Sequence, residues 1–139
     1  MKMRKFWPLL MAGSVGAMGL SSASAENFQL LVGSYTANTS QGLYRMNFDS
    51  ATGQIAAKPL QVVKSENPSW LTLSRDQRQL FVVNENGPGQ QDPVGRVSSF
   101  AIDPKSRQLS PINQVQSLGN EPTHSSLSVD GRYLFVSNY

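Results

Sequence analysis

The chain has 139 residues and a formal net charge of +3, with 39% apolar and 15% charged residues. Lys2, Arg4 and Lys5 account for that charge, and the remaining basic and acidic residues balance at nine each. No basic run interleaved with aromatics remains, so the electrostatic footprint of nucleic-acid or anionic-membrane binding is missing. The absence of cysteine rules out disulfides, cysteine-ligated metal and a thiol nucleophile, and a single histidine rules out a histidine-rich zinc site. No cofactor and no metal are expected.

Residues 1–25 read as a secretory signal peptide. Met1 to Lys5 is basic, Phe6 to Leu20 is apolar and uncharged, and Ala23-Ser24-Ala25 closes the segment with Ala-x-Ala before Glu26. The apolar stretch is about 15 residues, short of the ~20 a membrane-spanning helix needs. The mature protein is therefore expected to begin at Glu26, to be periplasmic or secreted, and to keep no membrane anchor. In that bacterial-style setting the glycosylation sequon at Asn38-Thr39-Ser40 reads as incidental.

Beyond the leader the chain repeats. A shift of 54 residues carries Pro68 onto Pro122, Leu73-Ser74 onto Leu127-Ser128, and Asp76 and Arg78 onto Asp130 and Arg132. Leu80-Phe81-Val82 falls on Leu134-Phe135-Val136, Asn84 on Asn138, Asp49 on Asp103 and Gln54 on Gln108, with no gap. Self-similarity at such a period marks a repeat architecture.

Each unit reads as four short strands. The opening unit shows three of them: Phe28 to Ser34, which resembles the second strand of a blade and not the first, then Leu43 to Phe48 and an outer strand over Ile55 to Val63. The next unit has Ser69 to Ser74, a turn at Arg75-Asp76-Gln77-Arg78, then Leu80 to Asn84, apolar enough to be covered on both faces. A loop rich in Pro and Gly follows at 87–93. Strands over Arg96 to Ile102 and Leu109 to Leu118 flank a turn at Asp103-Pro104-Lys105-Ser106. In the last unit the Asp130-Gly131 pair is a strong hairpin signal. No stretch of the mature chain has the pattern of an amphipathic helix.

Four antiparallel strands at a period near 50 are the signature of a β-propeller blade; the alternative, a β-sandwich with similar hairpins, would not repeat at constant spacing. The strand count is three, then four, then two, so residues 26–139 are expected to be an incomplete propeller. Its open blade edges are expected to leave unpaired backbone and apolar faces, and to favour self-association.

The segments that carry the repeat also resemble a known family. Leu31-Val32-Gly33-Ser34-Tyr35-Thr36 and Gly42-Leu43-Tyr44, running on to Asp49 and Gly53, are similar to the opening of the lactonase family of seven-bladed propellers. Pro122-Thr123-His124 and the stretch Ser128 to Tyr139 resemble that family's P-x-H … D-G-R-x-L-x-V-x-N-Y pattern. The family includes bacterial propeller-type 6-phosphogluconolactonases and fungal carboxymuconate cyclases. The resemblance implies an all-β fold, here about two blades of seven, and hydrolysis of a sugar δ-lactone as the parent activity. It covers the mature chain but about a third of a full-length member, and the family's proposed His, Arg and Glu residues lie largely in other blades. The partner expected is a small sugar lactone, 6-phosphogluconolactone or an unphosphorylated aldonolactone. A non-catalytic exported propeller serving as a binding scaffold is the alternative, because fold alone does not fix chemistry.

Positions that recur between units are read as building the blade, which assigns Asp76/Asp130, Arg78/Arg132 and Asn84/Asn138 to turns and strand ends. His124 stands where the preceding unit has Trp70, on an innermost strand lining the channel. It is the catalytic candidate, with channel-wall packing as the other reading. Asn138 and Tyr139, closing the family-like stretch, and Glu85 and Asn86, beside the long loop, are the substrate-binding candidates. Trp70 is read as inter-blade packing and Arg96 as a salt-bridging residue.

Overall fold

The computed structural model describes residues 27–37 and 39–139. The leader at 1–25 and Asn38 of the sequon lie outside these residues. The described residues form ten strands and no helix. In chain order these are β1 (Asn27–Gly33), β2 (Gly42–Asp49), β3 (Gln54–Ile55), β4 (Gln61–Lys64), β5 (Pro68–Leu73), β6 (Gln79–Asn84), β7 (Arg96–Ile102), β8 (Leu109–Gln116), β9 (Pro122–Leu127) and β10 (Leu134–Asn138).

The strands make three antiparallel sheets. In the first, β1 pairs with β2, and both β3 and β4 pair with the far edge of β2. The second is the uninterrupted meander β5-β6-β7-β8, and the third is the hairpin β9-β10. These are blades with the strand sequence that the repeat implies.

One outer strand differs from its expected form. Ile55 to Val63 reads as a single strand, but the structure divides it into β3 and β4. Pro59 lacks the N–H that a continuous ladder to β2 would use. On either side of the break Ala56 N donates to Asn47 O at 2.9 Å and Leu60 N to Arg45 O at 2.7 Å, so the segment stays docked. Pro111 of β8 is tolerated differently, beside a register shift between Ser99 and Phe100 of β7.

The turns follow the recurring residues. Asp76 Oδ1 accepts the Ser74 hydroxyl at 2.7 Å and the Arg78 N–H at 3.1 Å. Asp130 Oδ1 repeats this with Ser128 at 2.6 Å and Arg132 at 3.2 Å. Gly131 holds φ +70° in the second copy, and Gln77 holds φ +55° at the matching position of the first. Asp49 and Asp103 cap the other turns, accepting Ala51 N–H at 2.8 Å and Ser106 N–H at 2.6 Å.

Serine hydroxyls hold the carboxyls of Asp76 and Asp130 below the usual carboxylate range. Backbone N–H groups do the same for Asp49 and Asp103. The folded state thus favours the ionised forms. Their stabilisation is complete above the ordinary carboxylate pKa and is lost as the pH falls through the depressed folded values. Thermal denaturation is expected to give a Tm that is level above about pH 5 and falls below about pH 4. Asp103→Asn should flatten part of that fall, and a Tm unchanged down to pH 3 would contradict it.

The main core lies between the first two sheets. Leu43 from the first meets Leu80, Val82, Phe100, Ile102 and Leu109 from the second, with Leu31, Val63 and Leu71 packed around them. Side chains also bond this seam. The Gln61 amide donates to Leu109 O and accepts from Leu109 N, both at 2.9 Å, as a neighbouring strand's peptide group would. The seam to the third sheet is fastened on its inner strands: Trp70 Nε1 and Thr72 Oγ1 both donate to Ser125 O at 2.9 Å, and Glu121 N–H donates to Asn86 O at 2.8 Å. Phe135 on β10 is 62% exposed, and Ile112 and Val115 on β8 are also open.

Candidate active site

The ends of the strands define where chemistry can converge. Ser34, just past β1, donates its N–H to Gly42 O, and Asn84 at the end of β6 lies opposite Arg96. Gly42 and Arg96 are one repeat apart, so Ser34 corresponds to Asn84 and Tyr35 to Glu85. Tyr139, after Asn138, holds the same place in the third sheet. One residue per blade therefore stands at this rim: Tyr35, Glu85, Tyr139.

The rim is joined across blades. The Tyr35 hydroxyl donates to Glu85 Oε2 at 2.8 Å. This bond to Glu85 is the main cause that raises the tyrosine above its ordinary pKa, with burial and the charges of Glu85 and Glu121 adding to it. Asn67 and Glu121, each preceding the repeat's proline, take positive φ values of 39° and 47°. Their carbonyls accept the N–H groups of Glu85 at 2.9 Å and Tyr139 at 3.2 Å. A left-handed residue before proline is sterically costly. It recurs here because it turns the chain from one blade's outer strand into the next blade's innermost strand.

Beneath the rim runs a chain of amides. Thr36 N–H and its hydroxyl donate to Asn67 Oδ1 at 3.1 and 3.0 Å, which fixes the orientation of that amide. Asn67 Nδ2 then donates to Asn86 Oδ1 at 3.0 Å and to Gln90 Oε1 at 3.1 Å. Asn86 is fully buried and its Nδ2 has no acceptor among the described residues. The Glu121 side chain lies across Gly87, where a Cβ would stand 2.1 Å from Glu121 Cγ.

The sequence candidates thus divide into two groups. Glu85 reaches the rim and Asn86 lies directly below it. Tyr139 is at the rim and 93% exposed. Asn138 turns its amide toward Ser117 O at 3.5 Å, in the loop before its own blade. Asn84 bonds Glu66 O of the corresponding earlier loop in the same way. His124 is three residues along β9 from Glu121, about 10 Å deeper at strand rise. It is exposed, makes no hydrogen bond to a described residue, and stacks on Trp70 with ring centroids 4.4 Å apart and planes tilted by 49°. Innermost strands line a propeller's channel, so Trp70 and His124 form a pair on that wall. Arg96 is held by Asp92 within its own loop. Tyr35, Asn67 and Glu121 were not among the candidates. The non-recurring residues before the recurring prolines were the available signal for the last two.

The groups of this end with acid–base chemistry are carboxylates and a phenol at the mouth, with an imidazole further along β9. Among the described residues no group of three or more His, Asp or Glu is arranged to hold a metal.

Antiparallel blades around an axis, with polar groups gathered at one axial end, define a β-propeller with a candidate small-molecule site. Comparison with known proteins gives the family. Residues 29–139 match the model described as lactonase, 7-bladed β-propeller, and the chain belongs to that family. It is 32% identical over 112 residues to a 6-phosphogluconolactonase of Formosa agariphila, covering 79% of this chain and 30% of that protein. It is 27% identical over 108 residues to a 6-phosphogluconolactonase of Bacillus subtilis, covering 78% and 29%. Among solved structures it resembles the periplasmic gluconolactonase PpgL of Pseudomonas aeruginosa. There the identity is 53% and the TM-score 0.77, over 82% of this chain and 31% of that one. The chain thus spans about 30% of the length of the relatives it matches.

Proposed function

We propose that these blades belong to an exported sugar-lactone hydrolase whose substrate is an unphosphorylated aldonolactone, with residues 1–25 as its cleaved leader. The supporting observation is the character of the mouth. Glu85 and Glu121 present carboxylates without a basic partner among the described residues, and Arg96 is already neutralised by Asp92. Such a rim accepts the hydroxyl protons of a neutral polyol and repels a phosphate. The periplasmic gluconolactonase with which this chain shares 53% identity agrees with that substrate class and with export.

Hydrolysis requires a water aimed at the lactone carbonyl, a group to take its proton, and a donor for the oxyanion. In this reading Glu85, held by Tyr35, binds ring hydroxyls at the mouth, while Tyr139 covers them from the next blade and Asn138 and Asn86 support the rim. The His124 imidazole, free of other hydrogen bonds, takes the proton, and blades outside this chain complete the oxyanion site.

The test is turnover of glucono-1,5-lactone and its 6-phosphate by the protein in its full natural length. The neutral lactone should be preferred, and His124→Ala should lower kcat at least about 100-fold. Glu85→Gln should lower kcat/KM about 10- to 100-fold, the worth of one hydrogen bond to a charged group. A strict requirement for the phosphate would overturn the substrate assignment. Absence of turnover on either lactone would favour a binding scaffold.

A further inference from the structure

We propose that Arg45 and Arg107 form an oxyanion-binding site in the cleft between the first two sheets, at the turn end of the strands and away from the mouth. The cleft has a volume of about 620 Å³, and both arginines line it with Phe28, Leu71, Leu73 and Gln77.

Arg45 carries the inference. It is only 7% exposed, yet no carboxylate among the described residues lies within ion-pair distance of it. Its Nη1 donates to Ser106 O at 2.7 Å and to Gln29 Oε1 at 3.4 Å, while its buried Nε has no acceptor. A buried guanidinium with only neutral partners lacks the counter-charge such a group normally requires. The carboxylates of this end are engaged elsewhere: Asp49, Asp76 and Asp103 each accept from their own turns. Arg107 adds a second cation, with Nη2 donating to Gln77 Oε1 at 2.8 Å and no acid partner among the described residues.

Nor does the repeat account for the residue. One unit further along, the position of Arg45 is Ser99, so building a blade does not require an arginine there. Guanidinium groups match the paired oxygens of a carboxylate or phosphate, and apolar walls strengthen that attraction by excluding water. The ligand class is therefore a small oxyanion.

The experiment measures Tm of the full-length natural protein in sodium phosphate and in sodium acetate, each against sodium chloride at equal ionic strength. At least one oxyanion should raise Tm by about 3 °C or more over chloride, and the responding salt identifies the anion. Arg45→Gln should abolish the increase and Arg107→Gln reduce it by at least half, whereas Glu85→Gln at the mouth should retain it. If Arg45→Gln does not fold, Arg107→Gln alone decides. No increase with either oxyanion would overturn the proposal, as would an increase that survives in the arginine variants.

Discussion

Replacing Asn84 by alanine is expected to destabilise the chain by about 3 kcal/mol or more, measured by chemical denaturation. The residue is 1% exposed, and its amide bonds four neighbours at once. Nδ2 donates to Ser65 Oγ at 3.0 Å and to Glu66 O in the crossing from the first blade. Oδ1 accepts the Ser98 hydroxyl of β7 at 2.7 Å and, more weakly, Gln114 Nε2 of β8 at 3.4 Å. Alanine would take the donor from the buried Ser65 Oγ and from Glu66 O, and leave the buried Ser98 hydroxyl only Gln114 Nε2 at 2.9 Å, which costs more than the net worth of each bond. Asn138 occupies the same place in the repeat but is exposed, so Asn138→Ala should cost under about 1 kcal/mol. Equal effects at the two positions would refute this account of the asymmetry.

The second large effect is expected at Gly42. Its φ of +110° lies outside what residues with a side chain adopt readily, and an added Cβ would sit 1.9 Å from Ser65 O. That carbonyl belongs to backbone leaving β4, so relief would mean moving the strand that Gly42 pairs at Lys64. Gly42→Ala is expected to cost at least about 3 kcal/mol, combining backbone strain with displacement of packed main chain. Gly53→Ala is the control. Gly53 has φ +70° with nothing within 4 Å of an added Cβ, so only the left-handed penalty of about 1–2 kcal/mol applies. Denaturation midpoints for the two variants separate these contributions.

Much of the blade was legible because its determinants are local. The strand over Arg96–Ile102 is bounded by a Pro/Gly loop and an aspartate-capped turn, and its limits match the structure. Asp76 and Asp130 recur because each accepts a serine hydroxyl two residues earlier, a contact contained in a single turn. Trp70 was legible as inter-blade packing, and its indole does bond Ser125 of the next blade. The break at Pro59 was missed because an outer strand can tolerate proline, as Pro111 in β8 shows.

The site was less legible. The Tyr35–Glu85 bond joins residues 50 apart, and the Thr36–Asn67–Asn86 chain joins three separate strand ends. Pattern and period reveal which residues reach a rim, but not which side chains meet there.

The two seams differ in where they are fastened, one at the perimeter and the other on the inner strands. Gln61 clasps Leu109 through both its amide atoms at the perimeter, which ties the outer strands of the first two blades together. The next junction is fastened on the inner wall, where the Ser125 carbonyl accepts two donors beside the Trp70–His124 stack, and at the loop end, where Glu121 N–H reaches Asn86 O. Because His124 stacks on Trp70 across this junction, a rotation of the third sheet against the second moves the imidazole relative to the indole.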